Sequence, residues 1–152
     1  MRDNVKALID SINYETDCID ELIDAMRDQR EAMRERDTET VNEIMDETRD
    51  IFFDAQTADT SRNDLSKRLA AEFMCEPKAG SLAEKMQEDE RMIFNGTVDR
   101  LTQSIFVLKS EMMILSGLID QNEKYTSMLL SEFQRLNGEN VISQSGGADF
   151  RG

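Results

Sequence analysis

The chain has 152 residues, enough for one domain or one long helical bundle. Only 39% of them are apolar and 33% are charged, which is typical of long helices that bury narrow seams. The net charge is −14, and residues 1–76 carry 21 acidic and 10 basic side chains, a net of −11. This acidity argues against binding to nucleic acid and to anionic membrane surfaces, both of which need clustered lysine and arginine.

The two cysteines, Cys18 and Cys75, do not form a disulfide framework. In a helical hairpin that turns near Asp37 they would lie about 28 Å apart, far beyond bridging distance. Two free thiols indicate a reducing cytoplasm. The first residues lack the apolar run of a signal peptide, and no stretch approaches the roughly 18 apolar residues of a membrane span. We therefore expect a cytoplasmic protein.

A first helix is predicted over residues 4–36. Its apolar stripe alternates steps of three and four residues without a slip, which is the 3.5-residue period of packed helices. Two polar residues, Glu15 and Gln29, interrupt it. Asp37 or Thr38 can then cap the next helix by accepting from its free amides. The stripe consists of Val5, Leu8, Ile12, Glu15, Ile19, Leu22, Met26, Gln29 and Met33.

A second helix is predicted over residues 38–75. Its stripe is strong at both ends and weak over residues 56–63, where only alanines face the seam, yet the spacing indicates one continuous helix. The stripe consists of Val41, Ile44, Thr48, Ile51, Ala55, Ala58, Arg62, Leu65, Leu69 and Glu72. Pro77 and Gly80 end this half of the chain. The sequence Ser81-Leu82-Ala83-Glu84 is typical of a capping box and predicts a short helix over residues 82–88.

A third long helix is predicted over residues 89–136. Between Phe94 and Leu136 an apolar stripe keeps the three-four step, and Gly96 and Gly117, at about 1 kcal/mol each, are too weak to break it. Residues 137–152 are rich in glycine and serine and predict a flexible tail. The fold class is therefore all-α: residues 1–136 form an elongated up-down-up antiparallel bundle of three long helices with one short connecting helix.

Catalytic chemistry finds no support in this sequence. Without histidine there can be no Glu-x-x-His metal pair and no histidine base, and two distant cysteines cannot build a zinc site. The sequence has no phosphate-binding glycine loop. We expect no enzyme activity, no metal and no cofactor.

The third helix has more apolar residues than a three-helix bundle can bury, since such a helix needs about three in seven. One interpretation is a locally thicker core or a homodimer interface. The other is an exposed groove for an amphipathic helix of a partner, which the ten methionines favour because methionine adapts to different surfaces. The spare residues are Phe106, Val107, Met113, Ile114, Leu118, Tyr125, Met128 and Leu130.

The order of these segments resembles the FlgN family of flagellar export chaperones over residues 8–136. Three stretches carry the resemblance: TDCIDELIDAMRDQREAMRERDTETVNEIMDETRDIF, then RNDLSKRLAAEF followed by a proline-glycine connection and SLAEKM, and finally LIDQNEKYTSMLLSEFQRL. In the last stretch Asn122 matches the second asparagine of a family motif. The family's Tyr-Gly-x-x-Gly-like tail motif is absent, because this chain ends in GGADFRG.

The resemblance implies an acidic cytoplasmic chaperone that binds the C-terminal helical segments of hook-associated proteins, prevents their premature assembly and delivers them to the type III export apparatus. It places cargo binding between Ile114 and Leu136, and the atypical tail leaves contact with the export gate an open expectation. The alternative is a structural coiled-coil homo-oligomer or adaptor without an export role. Combined with the spare apolar residues, the predicted partner-binding set is Phe106, Met113, Ile114, Leu118, Tyr125, Met128, Leu129, Phe133 and Leu136.

Overall fold

The computed structural model describes residues 1–118 and 123–138. Every regular element in these ranges is a helix, so the fold is all-α. None of these helices combines the length and the apolar content that a membrane span requires. The predicted tail falls almost entirely on residues outside the described ranges. The helices are α1 (Asp3–Arg34), α2 (Thr38–Phe73), α3 (Ala79–Glu84), α4 (Glu88–Ser116) and α5 (Glu123–Gly138).

Helices α1 and α2 form a long antiparallel hairpin. Asp37 caps α2, because its side chain accepts from the backbone N–H of Thr40 at 3.1 Å and from the Thr40 hydroxyl at 2.6 Å. These hydrogen bonds lower the pKa of Asp37 below its ordinary value. Eight of the nine stripe residues of α1 are buried. Helix α2 continues through residues 56–63, where Ala58 is buried, and Ala55 just before this range is buried as well.

The short helix α3 begins earlier than its predicted range of 82–88. It runs from Ala79 to Glu84, and no side chain caps its N-terminus. The capping box predicted at Ser81 is therefore wrong. The earlier start places Ala79, Leu82 and Ala83 on one buried face with Met86, and burying this face outweighs the capping bonds. The capping box of this region belongs to α4, where Gln87 and Glu90 cap each other.

Helix α4 runs alongside α1 in the same direction. Polar contacts join the two helices at successive levels: Arg100 donates to Asn13 at 2.5 Å, Ser104 donates to Asp20 at 2.8 Å, and Arg27 and Arg30 pair with Glu111 at 3.1 and 3.3 Å. The buried face of α4 packs on α1 through the predicted stripe residues Phe94, Val98, Leu101, Ile105, Leu108, Met112 and Leu115.

The prediction of one helix over residues 89–136 is wrong, because the chain folds back. Helix α4 ends at Ser116, with Gly117 as its C-cap, and α5 begins at Glu123. A straight continuation would carry Arg135 roughly 36 Å beyond Glu111. Instead, Arg135 forms an ion pair with Asp59 in the middle of α2. Helix α5 therefore runs antiparallel to α4, and residues 1–118 and 123–138 form four long helices instead of the predicted three.

The length of the α1–α2 hairpin explains the fold-back. Because Arg30 pairs with Glu111, the end of α1 at Arg34 lies level with the last turn of α4. Beyond that level a straight helix would have no neighbour, and its apolar stripe would remain in water. Folding back buries Leu129 and Leu136, which are 2% and 0% exposed. Gly117 facilitates the break since glycine is a poor helix former.

Candidate partner-binding surface

The C-terminal half of α4 exposes a continuous set of large apolar side chains. Phe106 is 70% exposed and Met113 is 65% exposed, and they lie two helical turns apart on the same face of α4. Ile114 is also exposed, and so is Leu118, two residues beyond the end of α4. We call these four residues the α4 stripe. An exposed apolar surface of this kind is characteristic of interaction sites.

The predicted partner-binding residues of α5 are placed differently. Leu129 and Leu136 lie in the core, and Met128 and Phe133 are partly buried against it. Tyr125 belongs to α5, but its side chain is not among those that the structure describes. Leu130 is 56% exposed and adds a large apolar side chain of α5 to the surface. The predicted set is thus divided between an exposed part on α4 and a largely buried part on α5.

An apolar groove of about 360 Å³ lies where α5 meets α4. Among the described residues no charged side chain lines it, and one of its walls continues into the α4 stripe through Met113. Grooves of this composition accept the apolar face of an amphipathic helix. The lining residues are Met112, Met113, Ser116, Leu129, Leu130 and Phe133.

A second groove, of about 490 Å³, runs between α1 and α4 on the other side of the stripe. Asp20, Asp24 and Arg27 stand on its α1 wall, where Arg27 is paired with Glu111, and Val107 stands on its α4 wall beside Phe106. A smaller depression of about 290 Å³ flanks Phe106 on α4 itself and includes Lys109, whose pKa is lowered by burial. The stripe therefore lies between an apolar groove and a groove with an acidic wall.

Buried charges hold α5 against the α1–α2 hairpin. Arg62 is 1% exposed and lies 2.6 Å from Glu15, and it also pairs with Asp59. Arg135 lies 2.9 Å from Asp59 and donates to Glu132 at 2.6 Å. Burial opposes the charge of Arg135, but the hydrogen bond to Glu132 and the charges of Asp59 and Glu15 raise its pKa overall. We call these five residues the ionic cluster.

Sequence reasoning did not identify the ionic cluster. The signal was present, because Glu15 and Arg62 both occupy stripe positions where apolar residues are expected. Their pairing depends on the register between α1 and α2, and the contribution of Arg135 depends on the fold-back of α5. Neither can be read from the period of a single helix.

These features define a class of protein: a helical bundle that leaves a set of large apolar side chains exposed on one of its helices. Among residues 1–118 and 123–138 no group of three or more carboxylates and thiols is placed to hold a metal ion. A family model described as FlgN protein matches residues 1–148. The chain therefore belongs to the FlgN family, the family of flagellar export chaperones. No curated protein and no solved structure matches it.

Proposed function

We propose that this chain is a cytoplasmic chaperone that binds the C-terminal helical segments of hook-associated proteins through the α4 stripe. Binding prevents these segments from assembling prematurely, and the complex is delivered to the type III export apparatus. Two observations support the proposal: membership of the FlgN family and the exposure of Phe106, Met113, Ile114 and Leu118. The exposed α4 stripe is the stronger of these two observations, because it is an apolar surface that the bundle leaves uncovered.

The physical chemistry of the surface suits a chaperone that must also release its cargo. Burying apolar area contributes roughly 25 cal/mol per Å² before the costs of association are subtracted. A helix on the α4 stripe would bury apolar side chains of both partners but would gain few buried ion pairs. Met113 and Met112 at the groove can adjust to cargo helices of different shape. Moderate affinity with fast release is the expected outcome.

Gel filtration of the purified chain with a cargo segment tests the proposal. The chain alone has a mass of 17.4 kDa, and light scattering on the same column gives the mass of each peak. We expect a discrete complex with the C-terminal segment of a hook-associated protein from the same organism, and Leu118→Asp should weaken it while helicity stays unchanged. A stable homodimer that covers the stripe and ignores every such segment would support the structural-oligomer alternative instead.

A further inference from the structure

We propose that the acidic wall of α1 beside the α4 stripe selects a partner helix with lysine or arginine along one flank of its apolar face. This wall consists of Asp17, Asp20 and Asp24. The inference rests on the proposed function, because it defines which amphipathic helix the same surface accepts. It concerns the charge of the partner, which an apolar stripe alone does not determine.

The geometry places the wall along the border between α1 and α4. Asp20 accepts a hydrogen bond from Ser104 of α4 at 2.8 Å, and Asn13 accepts one from Arg100 at 2.5 Å. Asp17 lies four residues after Asn13 and three before Asp20, so it occupies the same ridge of α1. Asp24 lines the α1–α4 groove together with Asp20.

The charge of this wall has one sign. From Asn13 to Met26 the chain contains no lysine or arginine. The arginines at the two ends of the wall have partners of their own, because Arg100 bonds to Asn13 and Arg27 pairs with Glu111. A partner approaching Val107 from the α1 side therefore meets the carboxylates of Asp20 and Asp24, because Arg27, which also lines this groove, is paired with Glu111.

A helix on this surface would lie along α4 and span the distance from Arg100 to Leu118, about 18 residues or roughly 27 Å. Its apolar residues would cover the α4 stripe, and the flank facing α1 would lie against the wall near Val107. Lysine or arginine side chains on that flank would lay their apolar stems along the α1–α4 groove and bring their charged ends to the carboxylates of the wall. Acidic side chains there would be repelled, so the wall provides both attraction and rejection.

Two synthetic helical peptides of about 18 residues test the partner chemistry. They share one apolar face and differ at the flanking positions, which carry lysine in one peptide and glutamate in the other. By fluorescence anisotropy at low salt, the lysine peptide should bind about tenfold more tightly than the glutamate peptide. In roughly 0.5 M salt the difference should largely disappear, since exposed charges are screened.

A triple variant, Asp17→Asn, Asp20→Asn and Asp24→Asn, tests the wall itself. Asparagine keeps an acceptor for the Ser104 hydroxyl, so the change removes charge and little else. The variant should lose most of the preference for the lysine peptide. The matched control is Glu43→Gln, Glu47→Gln and Asp50→Asn on the exposed side of α2, which removes the same charge and should keep the preference.

The outcomes separate this inference from the proposed function. Equal loss of preference in the wall variant and the control would overturn the inference, because overall charge alone would then explain it. Failure of both peptides to bind would overturn it as well. If the lysine peptide binds as expected but no hook-associated segment does, the charge selection stands and the proposed cargo is wrong.

Discussion

Arg135 of α5 lies 2.9 Å from Asp59 of α2, near the middle of the hairpin. Asp59 also pairs with Arg62, which contacts Glu15 of α1. One chain of charges thus links three helices and fixes the direction of α5. The contact determines which apolar residues remain exposed, because α5 covers one side of α4 and leaves the side with Phe106 open.

Because α5 folds back onto α2, residue 60 of α2 and residue 134 of α5 should lie close together. Fluorescent labels at Thr60→Cys and Gln134→Cys, in a Cys18→Ala and Cys75→Ser background, should show strong energy transfer. A straight third helix would instead separate the labels by about 50 Å, given the rise of 1.5 Å per residue. The same pair of labels in about 6 M urea provides the reference for an unfolded chain. Weak transfer under native conditions would contradict the fold-back.

Replacing Arg62 should strongly lower the free energy of unfolding. Arg62→Leu leaves Glu15 buried without its 2.6 Å partner, and we expect a loss of about 3–5 kcal/mol in the free energy of unfolding. Urea denaturation followed by circular dichroism measures this loss. The exposed residue Arg68 supplies the control, since Arg68→Leu should change stability by less than about 0.5 kcal/mol.

A second substitution distinguishes a buried ion pair from simple packing. The double variant Glu15→Leu with Arg62→Leu should be more stable than Arg62→Leu alone, because no unpaired carboxylate is then buried beside α2. Asp59 keeps Arg135 as its partner in both variants. If the double variant were the less stable of the two, the energetic role assigned to the pair would be incorrect.

The pair of Arg2 and Glu90 predicts a specific dependence on pH. Glu90 is fully buried and accepts from the Arg2 guanidinium at 2.7 Å and from the Arg2 N–H at 2.9 Å. The hydrogen bond from the Arg2 side chain is the main cause that lowers the pKa of Glu90 from 4.5 to about 2. Because the pKa is depressed in the folded state, the stabilisation is complete above about pH 4.5 and is lost as the pH falls toward 2.

Unfolding of wild type and Glu90→Gln at pH 6 and pH 3 measures this contribution. Glutamine keeps one acceptor oxygen and replaces the other with an amide NH2, so the charge and the hydrogen bonds that Arg2 donates to that second oxygen are removed together. At pH 6 the free energy of unfolding of wild type should exceed that of Glu90→Gln by about 1–3 kcal/mol. This difference should be clearly smaller at pH 3. Glu88→Gln, an exposed neighbour in the same turn, is the control. A gap that is independent of pH would rule out the ion pair as its source.

The sequence was sufficient to predict what depends on one helix at a time. The regular period identified the buried faces of α1 and α4, and it showed that α4 has apolar residues to spare, including Phe106 and Met113. It could not reveal the end of α4, because the three-four step passes through Leu115 and continues to Leu129 in phase. Helix α4 stops where the neighbouring α1–α2 hairpin ends. That level is known only once the helices are packed together, so it cannot be read from the sequence of α4.

The division of the candidate site follows from the same limit. Leu129 and Leu136 belong to the stripe that the sequence identified, and once α5 folds back they are core residues. Ile114 and Leu118 belong to the spare set and remain exposed. The period alone assigns residues to faces of a helix, whereas the neighbour that covers each face depends on contacts between distant segments.

The central claim is that the α4 stripe binds cargo, and two phenylalanines test it most directly. Phe106 on α4 and Phe53 on α2 are 70% and 68% exposed, so replacing either one with aspartate should perturb folding to a similar, small extent. Calorimetric titration with a hook-associated C-terminal segment should show at least about tenfold weaker binding for Phe106→Asp, a loss of about 1.4 kcal/mol, and unchanged binding for Phe53→Asp. Equal affinity of both variants and wild type would contradict the account.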